Sequence, residues 1–356
     1  MSDHGILYRR LLLVFILTLV VLMSLDAKAK DRAGRDFYHA DSDGNGELSR
    51  DEWKRRGNFE RLDADRDGLI SLKELRAMYK GHNARGYTWP PDGVRIPKVE
   101  IDPSILINRL APEDIRKEAL CGLTWKVRGC TIGDQVPRGM SATGTGPRFP
   151  EGLVCPGIDD YWAMDYTHKR GFKLFHGGID LPVPWGTPMR AVADGSVVAI
   201  FEAGMSKRGI EVVLRHTPDQ TGHPMWTYSL YGHMDQMPKL VVGQKVGKGQ
   251  ILGPTGNSGI SGRGGGQSRN RRPAIHFATL YSDNPNYTII NNIVVPKDGY
   301  WLDPIAFYRQ QAPYDTASVK ALPEARKYVD IPVMLEDGSI RPPATKIIWP
   351  YACRKG

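Results

Sequence analysis

The chain is 356 residues long, enough for two domains with connecting segments. Its 41% apolar content supports a packed core and excludes wholesale disorder. A formal charge of +9 points to polyanionic surroundings, although no segment resembles a nucleic-acid-binding module.

At the amino terminus, Arg9 and Arg10 precede an apolar run from Leu11 to Val21. It continues to Leu25 with Thr18 and Ser24 as weak interruptions. Ala27-Lys28-Ala29 follows, with small residues at the spacing a signal peptidase reads. Residues 1–29 are therefore expected to be a secretory signal cleaved after Ala29, with the mature protein exported to the periplasm or cell envelope. The rival reading, a retained membrane anchor, needs roughly 20 apolar residues, and this run is shorter. The membrane is thus a partner only if the signal segment is not cleaved. With Arg9, Arg10, Lys28, Asp3 and Asp26 removed, the mature chain carries +8. That charge suits murein, teichoic acids or lipid head groups.

Residues 30–80 are charged and helical in tone, and they hold two loops of one design. In the first, Asp41, Asp43, Asn45, Glu47, Ser49 and Glu52 occupy the first, third, fifth, seventh, ninth and twelfth places, with Gly46 at the sixth. The second repeats this with Asp63, Asp65, Asp67, Leu69, Ser71 and Glu74 around Gly68. Calcium needs six to eight oxygen ligands around a tight loop. The glycine permits the sharp turn, the seventh residue offers its carbonyl, and the last Glu binds through both oxygens. Leu48 and Ile70, the eighth residues, are suited to pair the loops as a short β-bridge. Only ten residues, Trp53 to Leu62, separate the loops, so one helix must serve both. The segment resembles the compact bacterial EF-hand pairs, which implies two calcium ions. No Met-rich groove-forming surface is evident, which favours stiffening over sensing.

Residues 81–170 read as a linker and a Cys-containing extension, the linker marked by Trp89-Pro90-Pro91-Asp92-Gly93. There are four cysteines and no CxxC pair, so a structural zinc knot is not expected. In an oxidising compartment three disulfide connectivities are open. The working expectation pairs Cys121 with Cys130, and Cys155 with Cys353 to tie down the carboxyl tail.

Residues 171–310 change to short β-branched runs punctuated by Gly and Pro. Val192 to Phe201, Ile210 to His216, Trp226 to Gly232 and Ala274 to Tyr281 read as strands of a compact antiparallel domain. Residues 311–356, with Pro323, Pro332, Pro342, Pro343 and Pro350, read as an extended tail wrapping a surface.

Within the β domain stands Phe175-His176-Gly177-Gly178-Ile179-Asp180-Leu181-Pro182. Its glycines and proline argue against a helix, so His176 and Asp180 are not the rungs of a helical zinc ladder. Downstream come Tyr231-Gly232-His233, Val242-Gly243-Gln244-Lys245-Val246-Gly247-Lys248-Gly249-Gln250, Gly256-Asn257-Ser258-Gly259, His276-Phe277 and Trp301-Leu302-Asp303-Pro304. In this order the landmarks resemble the LytM/lysostaphin family of murein endopeptidases. The resemblance implies a mainly β catalytic domain with an antiparallel sheet, preceded by the small α-helical EF-hand pair. It also implies one zinc ion held by His176, Asp180 and His276, with His233 as the catalytic imidazole and peptidoglycan as the substrate. Two imidazoles and a carboxylate leave a fourth tetrahedral place for water, as catalytic zinc requires. His233 would act as general base or stabilise the tetrahedral intermediate.

The sequence departs from the family in two places. Active members carry His-x-His on the last strand, whereas here the first place is Ala274. Losing one transition-state donor costs about 10²–10³ in rate. The chain also inserts a basic stretch, Gly262 to Arg272, before that strand. Arg263, Arg269, Arg271 and Arg272 are candidates to bind stem-peptide carboxylates or to replace the lost imidazole. His216 and His223, flanking a hairpin near His233, are alternative stand-ins or ordinary surface residues. The leading expectation is an exported zinc endopeptidase that cuts peptide cross-links of peptidoglycan. The alternative is a weak or inactive LytM-like module that binds murein or activates a separate amidase.

Overall fold

Two Asp-rich loops close on each other through the shortest of ladders. The computed structural model describes residues 32–53, 59–62, 67–80, 89, 91, 99–124, 127–155, 157, 165–168, 175–204, 207–259 and 272–356. These fall into two units, Met1–Lys80 and Gly81–Gly356. In the first, α1 (Arg32–Ala40), β1 (Glu47–Leu48), α2 (Phe59–Leu62), β2 (Ile70–Ser71) and α3 (Leu72–Lys80) follow in order. Strands β1 and β2 pair antiparallel with Leu48 opposite Ile70, as the spacing predicts. Both side chains are fully buried, in a core with Phe37, Trp53, Phe59, Leu62 and Leu75. Gly46 and Gly68 sit at the sixth loop positions with φ of 85° and 87°, a backbone region open to glycine at little cost.

The second unit is built on a seven-stranded antiparallel sheet. Its members are β5 (Ile179–Leu181), β7 (Gly195–Phe201), β8 (Ile210–His216), β9 (Trp226–Met234), β10 (Lys245–Val246), β12 (Ile275–Ser282) and β15 (Tyr300–Leu302). The order is β10-β7-β8-β9-β12-β15, and β5 also pairs with β12. Short strands β3 (Gly146–Arg148) and β4 (Leu153–Val154) precede the sheet, and separate ribbons pair β6 (Pro188–Arg190) with β11 (Ile251–Pro254) and β13 (Tyr287–Ile290) with β14 (Ile293–Pro296). Strands β8 and β12 are buried almost along their length, so the polar side chains within them, such as Glu211, Arg215 and His276, are enclosed as well. The first strand starts later than the run from Val192 suggests. The Val192 amide donates to the Tyr231 hydroxyl at 2.9 Å, and its carbonyl accepts from Ile348, so neither joins the ladder.

Both flanking regions contribute to this core. Ile105, Leu120, Leu123 and Met140, from the stretch read as linker and extension, pack in one cluster with Val212, Tyr231 and Phe277. The segment 99–102 also runs beside β10, with the Lys245 amide donating to the Glu100 carbonyl at 2.8 Å. The carboxyl tail is not the surface wrap expected of it. It forms β16 (Tyr328–Asp330), β17 (Val333–Met334), β18 (Ile340–Arg341) and β19 (Arg354–Lys355). Its Ile347, Trp349, Tyr351 and Cys353 are fully buried in the same cluster. Pro spacing rules out long elements, but between prolines the tail carries side chains that each gain about 1.5–3 kcal/mol on burial. Disulfides join Cys121 to Cys130 and Cys155 to Cys353, the second fixing the tail to the body of the domain. Among the described residues no helix is long and apolar enough to cross a membrane. The expected signal at 1–29 lies outside the described residues.

Candidate metal centre

Strand pairing assembles the centre. β5 and β12 run antiparallel with Asp180 directly opposite His276, and β9 lies on the other side of β12 with Gly232 opposite His276. Residues opposite one another in such a ladder hold their Cβ atoms about 4.5–5.5 Å apart, so one register brings the carboxylate and the imidazole together. His176 reaches them from just before β5, and His233 follows Gly232 in β9. The ligand atoms of His176, Asp180 and His276 all lie within 4.8 Å of one another. Asp180 Oδ1 stands 3.1 Å from His176 Nε2, 2.9 Å from His276 Nδ1 and 3.8 Å from His233 Nε2. All four side chains are buried.

Backbone carbonyls set the tautomers. Nδ1 of His176 lies 3.3 Å from the Asp165 carbonyl, which can only accept, so Nδ1 carries the proton and Nε2 keeps its lone pair. His233 is fixed the same way, its Nδ1 donating to the Ser258 carbonyl at 2.7 Å. Lone pairs of two imidazoles therefore face a carboxylate oxygen in a buried space. Acceptor against acceptor is unfavourable unless a cation lies between them, so these residues fit a divalent metal. The donor set of two nitrogens and one oxygen suits zinc with one coordination place open. Burial pushes His276 down to about 4, against the opposing pull of Asp180, and so keeps it in the neutral form a ligand needs. Gly178 packs against its ring, since a Cβ there would stand 2.5 Å from His276 Nε2.

The other candidates sort differently. Ala274 is buried at the head of β12, and its amide donates to the Gly256 carbonyl at 3.1 Å. His216 and His223 are neither surface groups nor members of the centre. His216 is held by the Asp194 carbonyl and the Ser229 hydroxyl, each at 2.7 Å, and His223 by the Phe307 carbonyl at 2.8 Å. Burial lowers both to about 4. They belong to the core, which imidazole spacing alone does not reveal. Arg263, Arg269 and Arg271 lie outside the described residues, and Arg272 is half-buried. The roles of Asp165 and Ser258 at the two imidazoles were not foreseen. Each acts through its carbonyl, so side-chain identity carries no signal of it.

In the first acidic loop, Asp41, Asp43 and Glu52 bring ligand atoms within 4.8 Å of one another. Asp41 Oδ1 is buried with no hydrogen-bond partner, the state of a carboxylate oxygen shaped for a cation. Glu52 accepts from the Ser49 and Ser42 amides at 2.8 and 3.0 Å, and these donors, Ser49 first, hold it down to about 2. The Asn45 side chain accepts from the Glu47 amide at 2.8 Å. The second loop repeats the closing contact, with Ser71 donating to Glu74 at 2.8 Å, and the Leu69 amide donates to Asp67 at 2.9 Å. Asp63 and Asp65 lie outside the described residues.

Residues 174–287 match the model of Peptidase family M23, and residues 35–55 and 59–79 match that of the EF hand. Glycyl-glycine endopeptidase ALE-1 of Staphylococcus capitis is 30% identical over 135 residues, which are 36% of this chain and 33% of that protein. The chain thus spans about a third of that relative's length. Among solved structures, an alanine-to-histidine mutant of the catalytic domain of the prophage-encoded M23 protein EnpA from Enterococcus faecalis is 24% identical. The match covers 43% of this chain and 95% of that one at a TM-score of 0.26. The catalytic domain of the antimicrobial peptidase lysostaphin from Staphylococcus simulans is 22% identical, covering 43% and 84% at a TM-score of 0.25.

Proposed function

We propose, for a chain whose residues 174–287 form a Peptidase family M23 domain, that it is a zinc-dependent endopeptidase hydrolysing peptide cross-links of peptidoglycan. On this reading it works exported, in the periplasm or cell envelope, with calcium held by its EF-hand pair. One observation carries the proposal. Asp180 gathers His176, His276 and His233 within 3.8 Å in a buried space where two imidazole lone pairs need a cation. His176, Asp180 and His276 would hold the metal. When bound, zinc lowers the pKa of a water and polarises the scissile carbonyl.

The remaining work falls to residues of the chain. His233, with Nδ1 tied to Ser258, offers Nε2 to take a proton from the attacking water and return it to the leaving amine. Burial of the four side chains keeps bulk water away and strengthens each electrostatic contact. The fixed tautomers of His176 and His233 mean that little reorganisation accompanies the reaction. Metal analysis together with mass spectrometry of muropeptides released from purified sacculi tests the proposal. It requires about one zinc per chain and new peptide termini. Ala274 favours a second reading, a murein-binding module or amidase activator without turnover, in which sacculi would bind the protein and release nothing.

A further inference from the structure

A charged pair stands beside the metal centre, and the centre's own residues do not require it. Glu211 lies at the bulge where β8 shifts register against β9, and it is 0% exposed. Arg208 Nε donates to its Oε2 at 2.7 Å. A buried carboxylate costs several kcal/mol unless it is compensated, so the pair holds the arginine in against the sheet. The Arg208 side chain remains 18% exposed, whereas its partner Glu211 is wholly enclosed.

Its position relative to the centre follows from Gly232. A Cβ on Gly232 would meet the Cβ atoms of both Arg208 and His276 within 3.2 Å, so the absent side chain is what lets the two approach. The Arg208 carbonyl accepts from the His233 amide at 2.7 Å, at a residue whose φ is 65°. The strand end bearing Arg208 is also pinned. A Cβ on Gly209 would stand 2.3 Å from the Ser258 carbonyl carbon, and one on Gly259 would stand 2.4 Å from the Gly209 nitrogen. Residues 207–209 and 258–259 therefore form one wall beside His233.

We propose that Arg208 is a further catalytic residue, presenting its guanidinium to the scissile amide and taking the place of the imidazole missing at Ala274. The inference rests on the endopeptidase reading. Water adds to the carbonyl carbon, a C–O bond forms, the π pair moves onto the carbonyl oxygen, and the water's proton passes to His233 Nε2. Arg208 donates N–H to that oxyanion and keeps its own protons, since a guanidinium stays charged throughout. On collapse the C=O re-forms, the C–N bond breaks, and His233 returns the proton to the leaving nitrogen.

The test compares wild type with Arg208→Ala and Arg208→Lys by zinc content and by turnover of a soluble cross-linked muropeptide. It is run with and without added guanidinium chloride at non-denaturing concentration. Arg208→Ala is expected to keep its zinc and its KM while kcat falls about 10²-fold. Added guanidinium restores about tenfold of that loss, and Arg208→Lys lies between. An unchanged kcat, a loss that guanidinium does not restore, or a variant that loses zinc would each overturn the assignment. A wild type that neither binds zinc nor turns over would instead sink the endopeptidase reading itself.

Discussion

His233 adopts a left-handed backbone, φ 65°, and its Nδ1 donates to the carbonyl of Ser258 at 2.7 Å. A non-glycine residue in that region costs of order 1 kcal/mol and persists only where its surroundings over-determine it. Here the surroundings are specific. The amide is held by Arg208, the ring by Ser258, and the Ser258 hydroxyl accepts from Ile210 at 3.0 Å while donating to the Met234 carbonyl. The strain is thus spent on pointing Nε2 at the carboxylate of Asp180.

Ser258→Ala should loosen that arrangement. It leaves the buried Ile210 amide and Met234 carbonyl without their shared partner, at about 1–3 kcal/mol. Turnover should fall while zinc content holds, because no metal ligand is touched. Denaturant unfolding and muropeptide release, measured on the same preparation, check both halves.

Acid should destabilise the fold through its buried histidines. His216 and His223 are pushed to about 4 from an ordinary value of 6.5, chiefly by burial. The unfolded chain therefore binds more protons between those values. The stability contributed by neutral imidazoles is complete above about pH 6.5 and is lost as pH falls towards 4. Urea midpoints across that range should decline, and less steeply in His216→Asn, which keeps a polar group but does not titrate.

Trp349→Ala tests the place of the carboxyl tail. Trp349 is fully buried, packed near Phe149, Tyr308 and Tyr351 with ring centroids 5.2 to 6.0 Å away. Emptying such a site costs about 3–5 kcal/mol. A tail lying on the surface would cost almost nothing, so one unfolding curve separates the two.

Much of this was legible beforehand, and the exceptions have physical causes. Strands β8 and β12 were readable because β-branched runs bounded by turn residues have few other outcomes. The cluster of His176, Asp180 and His276 was readable because chemistry restricts which side chains can serve a metal. The tail was misread because proline marks where elements stop, and says nothing about whether the Trp and Tyr between them find a core. His216 and His223 looked like surface groups because their partners, Asp194, Ser229 and Phe307, are distant in sequence or act through backbone. The placement of Arg208 gave no sign in the sequence, since it depends on Glu211 being buried and on Gly232 being bare.

Glu52→Gln should cost one of two calcium ions. The twelfth residue of the first loop binds through both oxygens in such loops, and its carboxylate is already gathered with Asp41 and Asp43. Calorimetric titration of the purified protein should give about two sites in the wild type and about one in the variant.

The most direct trial sets wild type beside Asp180→Ala, with zinc measured by elemental analysis and peptide release from sacculi measured by mass spectrometry. The account predicts about one zinc and new peptide termini in the wild type, and loss of both together in the variant. A variant that keeps its zinc and still cuts would contradict it.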